Sequence, residues 1–448
     1  MAQGGAVDIL DVIERQRIGR FQILLCALLF AATFADGYDA LVMGYTAPFI
    51  IRAWHVQRAA LGPVFSASLF GLMVGAAIFG VLGDRLGRKR VIVFSALLLG
   101  VVSLATVTVS SLDVLLYYRF AAGLGIGGVL PNAIALGSEY APRRYQSTVI
   151  WFIMLGYQLG AASGALVANG LAARYGWETM FLAGGALPIL VALLALVFLA
   201  ESVRFLALDP RRREAAAAIL RRMEPGLTIG ADTSLLLREE KKPGVRARHL
   251  FTEGRAPVTV LLWISFVGSL MTLHFLVNWI PTVLESPAIS RAEAAIASTM
   301  LQVGGIVGGL ILSRGIDLKG VLAIAAVFGL GVPLVASVGL GQQSATLAML
   351  LTFGAGFCVV GGQTTLNALS GRLYPTFMRT NGVGWAHTVG RFGSVAGPVA
   401  GGLLIAYDVP TNEIFYFAAV PIFCAALACI AMSRFPNAAA GAPVKTGA

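Results

Sequence analysis

Charge is scarce in this sequence. Lys, Arg, Asp and Glu together supply 12% of its 448 residues and apolar residues 57%, whereas a water-soluble domain carries about a quarter charged residues to keep its surface solvated. That shortage excludes an ordinary soluble globular protein. Cysteine is scarce as well. Cys26, Cys358, Cys424 and Cys429 all fall inside apolar runs without metal-ligand spacing, which excludes a disulfide framework or a zinc site and leaves four small hydrophobes. There is no phosphate-cradling glycine loop and no serine-centred nucleophile elbow, so ATP-driven pumping and hydrolysis lack their machinery; no enzyme, cofactor or metal is expected. The acidic and basic residues Asp8, Asp11, Glu14, Arg15, Arg17 and Arg20 precede the first apolar run with no small-residue cleavage site after a short hydrophobic core, so no cleaved signal peptide is expected.

Long apolar runs are what the sequence has in abundance. A transmembrane helix takes roughly 20 mostly apolar residues, and such stretches lie near 21–50, 61–82, 91–109, 113–136, 147–170 and 178–200, then near 257–284, 294–312, 320–340, 345–370, 381–406 and 412–433. The expectation is an all-α membrane protein with twelve transmembrane helices.

The net charge of +11 would suit a nucleic-acid surface if it formed one patch; it is instead spread over alternate loops. With the N-terminus placed in the cytoplasm, the inner segments hold Arg15, Arg17 and Arg20, then Arg85, Arg88, Lys89 and Arg90, then Arg143 and Arg144, a dense cluster within 204–255, and smaller groups beyond; the outer loops hold only Arg52, Arg58, Arg174 and Arg291. Basic residues favour cytoplasmic loops. A multi-pass protein of the cytoplasmic (inner) membrane with both termini inside is therefore expected, in contact with membrane lipid and not with nucleic acid.

A weak internal repeat divides the chain. Gly75, Gly80 and Asp84-Arg85 recur 229 positions later as Gly304, Gly309 and Ser313-Arg314; Pro142, Gly160 and Gly164 recur 233 positions later as Pro375, Gly393 and Gly397. Repeats of this kind build carriers whose halves rock about a central site. The expected organisation is two pseudo-symmetric six-helix bundles over 1–200 and 257–436, a cytoplasmic linker over 201–256, and a flexible cytoplasmic tail over 437–448. The linker carries an Ala-rich, basic helical pattern over 210–223, suited either to lying on anionic headgroups or to being simply solvated.

Three features carry chemistry. The loop Gly83-Asp84-Arg85-Leu86-Gly87-Arg88-Lys89-Arg90 between the second and third spans combines turn-forming glycines with an acid able to pair with an arginine or to face a helix N-terminus, a candidate latch for an inner gate. In the first span, Asp36-Gly37-Tyr38-Asp39 puts two acids on one helix face at a depth where ionisable groups are costly and functional by default. Burial and like charge disfavour two neighbouring anions, making one of them a candidate proton carrier; the alternative is a pair of acids locked onto arginines. Arg119 and Arg391 are the only two of 33 basic residues left inside the expected spans. An arginine fork matches a carboxylate in two bonds, so one of them is a candidate to hold an organic anion while the other pairs with an aspartate. Which does which is open at this point.

GDRLGRKR resembles the loop signature of the major facilitator superfamily. Arg119 followed by Gly123, Gly125, Gly127 and Gly128 is similar to its fourth-helix pattern, Glu139-Tyr140-Ala141-Pro142-Arg143-Arg144 to the segment after it, and Glu201-Ser202-Val203-Arg204-Phe205-Leu206 to a degraded form of the element after its sixth helix. Asp36-Gly37-Tyr38-Asp39, His274 to Thr282 and the segment from Tyr374 through Arg379 and Arg391 to Pro398 are similar to the aromatic acid:proton symporters within it. The resemblance implies a major facilitator fold, alternating access, import of benzoate-like acids with protons, no cofactor, and roles for Asp36, Asp39, Asp84, Arg119, Glu139, Arg379 and Arg391. Two departures stand out: Ser313 replaces the acid in the second copy of the loop, and the element after helix 6 lacks both prolines.

The expected function is proton-coupled import of an aromatic carboxylate by a monomeric carrier, with a symporter of other organic acids or sugar-like metabolites, an exporter, and a non-transporting sensor as rivals. Proton coupling is assigned to Asp36 and Asp39. Substrate contact is assigned to Arg119, Arg391, Tyr38, Asn278, Trp279, Gln302, Gln363, Asn367 and His387, and gating to Gly83, Asp84, Arg85, Arg88, Glu139, Arg143 and Arg379. Each amide is equally suited to an interhelical hydrogen bond, and each aromatic to packing.

Overall fold

A computed structural model of the protein describes residues 7–16, 18–224, 226–227, 235–236, 247–252, 254–374 and 378–435, with residues 247, 313–319 and 379–380 described by backbone alone. Among the described residues, twelve helices are long and apolar enough to cross a membrane. They are helix 1 (Arg20–Trp54), helix 2 (Arg58–Leu86), helix 3 (Arg88–Thr106), helix 4 (Leu112–Tyr140), helix 5 (Arg143–Tyr175), helix 6 (Glu178–Phe198), helix 7 (Ala256–Val283), helix 8 (Arg291–Leu312), helix 9 (Val321–Gln343), helix 10 (Ala345–Ser370), helix 11 (Asn381–Ala406) and helix 12 (Ile414–Met432). Helices satisfy their own backbone hydrogen bonds where lipid offers none. The outer surface is apolar to match, with Leu166, Val197 and Leu350 among its exposed side chains.

The repeat seen in the sequence is repeated atom for atom in the packing. A Cβ on Gly75 would lie 2.3 Å from the carbonyl oxygen of Leu124, and one on Gly304 would lie 2.1 Å from that of Phe353; both members of the second pair sit 229 positions after the first. Gly127 against Leu72 and Gly356 against Leu301 are related by the same shift, at 2.4 and 2.0 Å from the carbonyl oxygens. Gly160 against Phe34 and Gly393 against Val267 keep the shift of 233, at 2.0 and 2.2 Å. Helix 2 on helix 4, helix 8 on helix 10, helix 1 on helix 5 and helix 7 on helix 11 thus meet backbone to backbone. Small residues at such seams let membrane helices approach closely, and the chain folds as two pseudo-symmetric six-helix bundles.

Gly37, inside the acidic run of helix 1, faces the same constraint: its Cβ would fall 2.0 Å from the backbone oxygen of Tyr157. Gly37→Val is therefore expected to push helix 5 off helix 1 at a cost of about 1–3 kcal/mol, the range for overpacking. A lowered melting temperature in detergent would show it, and an unchanged one would contradict this packing.

Helix 6 ends at Phe198 and helix 7 begins at Ala256, close to the expected linker bounds. Within the linker, the helix Arg213–Met223 buries Ala216, Ala217, Leu220 and Met223 in a cluster shared with Ile9, Val12 and Ile13 of a short N-terminal helix, Ile9–Arg15. Val7–Asp8 also pairs in parallel with Leu235–Leu236, and Gln16 donates to Glu224 at 3.2 Å. The apolar side of the basic helix is covered by the chain itself rather than offered to lipid. Residues 437–448, expected as a tail, lie outside the described residues, as do Arg17 and Pro375.

The halves are tied toward the face opposite the linker, here called the far face. Ser66 donates to the Val395 oxygen at 2.8 Å, Thr299 to the Ala162 oxygen at 3.3 Å and Asn169 to the Ala292 oxygen at 3.3 Å. Phe65 meets Trp279 edge-on at 5.2 Å, and Arg52 is ion-paired with Glu285.

Candidate functional site

Asp36 and Asp39 stand one turn apart on helix 1, and their surroundings differ. Asp39 accepts from the Ser103 hydroxyl at 2.6 Å and from Arg119 Nη1 at 3.1 Å. Arg119, wholly buried, also donates to the Thr106 hydroxyl at 3.3 Å and lies over the Phe181 ring at 4.8 Å. A buried ion pair offsets its desolvation only when further hydrogen bonds hold it; this pair of helices 1 and 4 has them from Ser103 and Thr106 of helix 3, with Arg119 Nε left without a partner among the described residues. Ser103, Thr106 and Phe181 carry no signal in the sequence that would single them out.

Asp36 is equally buried, yet neither carboxyl oxygen has a hydrogen-bond partner among the described residues. Its electrostatic neighbours are Asp39 on its own helix and Arg391 from helix 11 in the other half, and Tyr157 of helix 5 interacts with both Asp36 and Arg391. Arg391, Tyr157, His274 and His387 are each half-buried, and Arg391 interacts electrostatically with Asp36, Tyr157, His274 and His387, which ties groups of the two halves into one cluster. In that cluster, His274 Nδ1 lies 2.9 Å from the Leu270 carbonyl oxygen; a carbonyl only accepts, so Nδ1 carries the proton and Nε2 is left as an acceptor. His387 sits one turn before Arg391 with its ring edge-on to Phe266 at 5.0 Å.

The remaining candidates divide. Asn367 is half-buried and accepts from Gln363 at 2.9 Å, while Gln363 in turn accepts from Ser269. Gln302 on helix 8 is buried. Asn278 donates back to the His274 carbonyl at 2.8 Å, and the Tyr38 hydroxyl donates to the Met180 oxygen at 3.0 Å. Trp279 is fully buried and donates to the Pro398 oxygen at 3.1 Å, so it belongs to the far-face closure.

In the loop between helices 2 and 3, Asp84 pairs with Arg88 of its own loop, while the start of helix 3 is held by an acid from elsewhere. Gly87 adopts φ +104°, and a Cβ there would meet the Glu201 carboxylate at 2.3 Å, so glycine is required twice over. Glu201 accepts from the backbone N–H of Lys89 at 3.0 Å and of Ser202 at 2.9 Å, and Tyr140 donates to its backbone oxygen. The negative charge at the start of helix 3, favoured by the helix dipole, comes from Glu201. Asp84 is 74% exposed and reaches only Arg88, at 3.4 Å. Arg88 makes its closer pair with Glu139 at 2.9 Å. Gly83 leaves room for Asn132, which bonds the Phe79 and Gly128 oxygens. Arg85 is exposed; Arg143, 87% exposed, pairs with Glu14 at 3.3 Å. The Arg379 side chain lies outside the described atoms.

The family profile described as Major Facilitator Superfamily matches residues 29–396. The chain is 35% identical over 432 residues to the 4-hydroxybenzoate transporter PcaK of Acinetobacter baylyi, covering 95% of this chain and 94% of that one. It is 34% identical over 432 residues to the gallate transporter of Pseudomonas putida, covering 95% of each. Among solved structures, a bacterial homologue of the human lysosomal transporter Spinster in an inward-facing, occupied conformation aligns with a TM-score of 0.69 at 15% identity over 93% of this chain and 98% of that one. A D-xylose-proton symporter aligns with a TM-score of 0.69 at 17% identity over 93% and 97%. At those identities the likeness speaks for the fold.

Proposed function

The chain belongs to the major facilitator superfamily, and from that premise we propose that it is a proton-coupled symporter importing an aromatic carboxylate through the cytoplasmic membrane by alternating access. The observation that carries this reading is the contrast within one helix turn: Asp39 is held by Ser103 and Arg119, while Asp36 is buried with no hydrogen-bond partner among the described residues and faces the charge of Arg391 from the other half. The relatives named as 4-hydroxybenzoate and gallate transporters support the aromatic acid as cargo.

Coupling then follows from competition for one guanidinium. A bare Asp36 carboxylate neutralises Arg391 across the seam between the halves; once Asp36 is protonated, Arg391 is uncompensated in a poorly solvated site, where an unpaired charge is costly. A substrate carboxylate restores the balance with two parallel bonds. Proton and anion are thereby loaded together, and losing either favours losing the other. An inside-negative potential opposes an anion by about 2.3 kcal/mol per 100 mV, and one co-imported proton cancels that cost for a monocarboxylate.

The basic linker and adjoining loops support a cytoplasmic linker face, and in this reading the far-face ties belong to a carrier closed to the outside. Gln363, Asn367, His274 and His387 line the ring-binding side in this reading; Asp84, Arg85 and the Arg88–Glu139 pair belong to the inner gate. The protein works as a monomer that moves its cargo unchanged.

Cells expressing the protein are expected to accumulate labelled 4-hydroxybenzoate, and a protonophore to abolish the accumulation. Uptake that persisted with the proton gradient collapsed would refute the coupling.

A further inference from the structure

A cavity of about 570 Å³ opens at the far face on the seam between the halves, remote from Asp36 and Arg391. Of the four basic residues that the chain places in its far-face loops, Arg52, Arg58 and Arg291 line this one cavity. The acid among its lining residues is Glu285, at the end of helix 7. Glu285 is ion-paired with Arg52 of helix 1 and lies 3.8 Å from Arg291 Nε, too far for a hydrogen bond. That Nε is buried without a hydrogen-bond partner among the described residues, the guanidinium lying over the Phe49 ring at 4.1 Å, and so is the hydroxyl of Thr282, another lining side chain, itself 2% exposed. The nearby Glu293 is turned to Ser290, whose N–H and hydroxyl it accepts. Three cations against one carboxylate leave the cavity positive, with donors unused.

We infer that this cavity is an outer docking site for the carboxylate of a small organic anion, occupied before the central site, and that the docked carboxylate takes Arg52 from Glu285 and so loosens the tie between the halves. The inference rests on the uptake direction proposed above. Its chemistry is an exchange of like for like: a carboxylate from solution replaces a carboxylate of the chain on the same guanidinium, and the Arg52 side chain, 61% exposed, is accessible to it. Arg52 belongs to the first half and Glu285 to the second, so the exchange removes a bond that spans the gate. A concave, positive site also concentrates anions from solution, an effect worth about tenfold or more in association rate and lost as salt rises.

The test is the KM for labelled 4-hydroxybenzoate measured in both directions in liposomes of known protein orientation. Arg58→Gln removes a lining charge that pairs with no acid among the described residues. It is expected to raise the KM for uptake from the far face about tenfold at low salt, the size of the steering effect, with the shift confined to that direction. Glu285→Gln removes the competing carboxylate and is expected to lower the far-face KM. For the wild type, raising the external salt from about 0.01 M to about 1 M shrinks the Debye length from about 30 Å to about 3 Å and is expected to raise the far-face KM in the same sense as Arg58→Gln. A wild-type protein that carries no carboxylate overturns the proposed function along with this site. A wild-type protein that carries it, with a far-face KM indifferent to salt and to Arg58→Gln, or shifted equally in both directions, overturns the outer site alone.

Discussion

Asp36→Asn is expected to abolish proton-driven accumulation while leaving the protein folded and able to exchange internal for external substrate. Asparagine keeps the shape of the side chain, and Asp36 has no hydrogen bond to lose among the described residues, so the packing of helix 1 is expected to hold. What disappears is the proton. Each unit of pH difference is worth about 1.4 kcal/mol per coupled proton, or about a tenfold concentration ratio, and the variant should equilibrate its substrate instead. Flux measurements in liposomes with an imposed pH step would decide it; accumulation at the wild-type ratio would remove Asp36 from the coupling.

Asp39→Asn is expected to fail for a different reason. Arg119 is buried with Asp39 as its charged partner, and stripping one member from a buried pair costs about 3–5 kcal/mol because the other charge is left uncompensated. The variant should melt well below the wild type in detergent and reach the membrane in reduced amount. Removing both charges, Asp39→Asn with Arg119→Leu, should regain much of the stability, since an apolar replacement of a buried pair is often nearly neutral. A stable Asp39→Asn protein that had lost only its coupling would reverse the roles given to the two aspartates.

That division of labour was beyond the reach of the sequence, although both residues were visible in it. Spacing puts Asp36 and Asp39 on one helix face, but which of them meets Arg119 depends on how helix 1 is rotated against helices 3 and 4. The rotation is set by Gly37 and Gly160 pressing on opposite backbones, and by Ser103 arriving from a helix with no motif of its own. The twelve spans and the duplication were legible because apolar length and glycine spacing are properties of a single strand of text. The loop after helix 2 was legible only in outline: the acid that holds the start of helix 3 lies more than a hundred residues away at Glu201, and local pattern favoured Asp84. Trp279 looked like a stacking surface because its partner Phe65 lies in the other half. The linker helix was left between anionic headgroups and solvent because the residues that cover it, Ile9, Val12 and Ile13, belong to the N-terminal segment.

At the far-face seam, Gly62 and Gly402 bring helices 2 and 11 together with no side chain between them; a Cβ on Gly62 would sit 3.1 Å from the Pro398 oxygen, and one on Gly402 would sit 3.0 Å from that of Ala59. A contact between bare backbones has no rotamers to change and so only one setting. It can act as a fulcrum, whereas the neighbouring Phe65–Trp279 and Ser66–Val395 contacts can be remade in a second arrangement, as packed interfaces that switch must be. The amplitude of any swing is then a matter of leverage: small displacements around this point translate into large ones at the linker face.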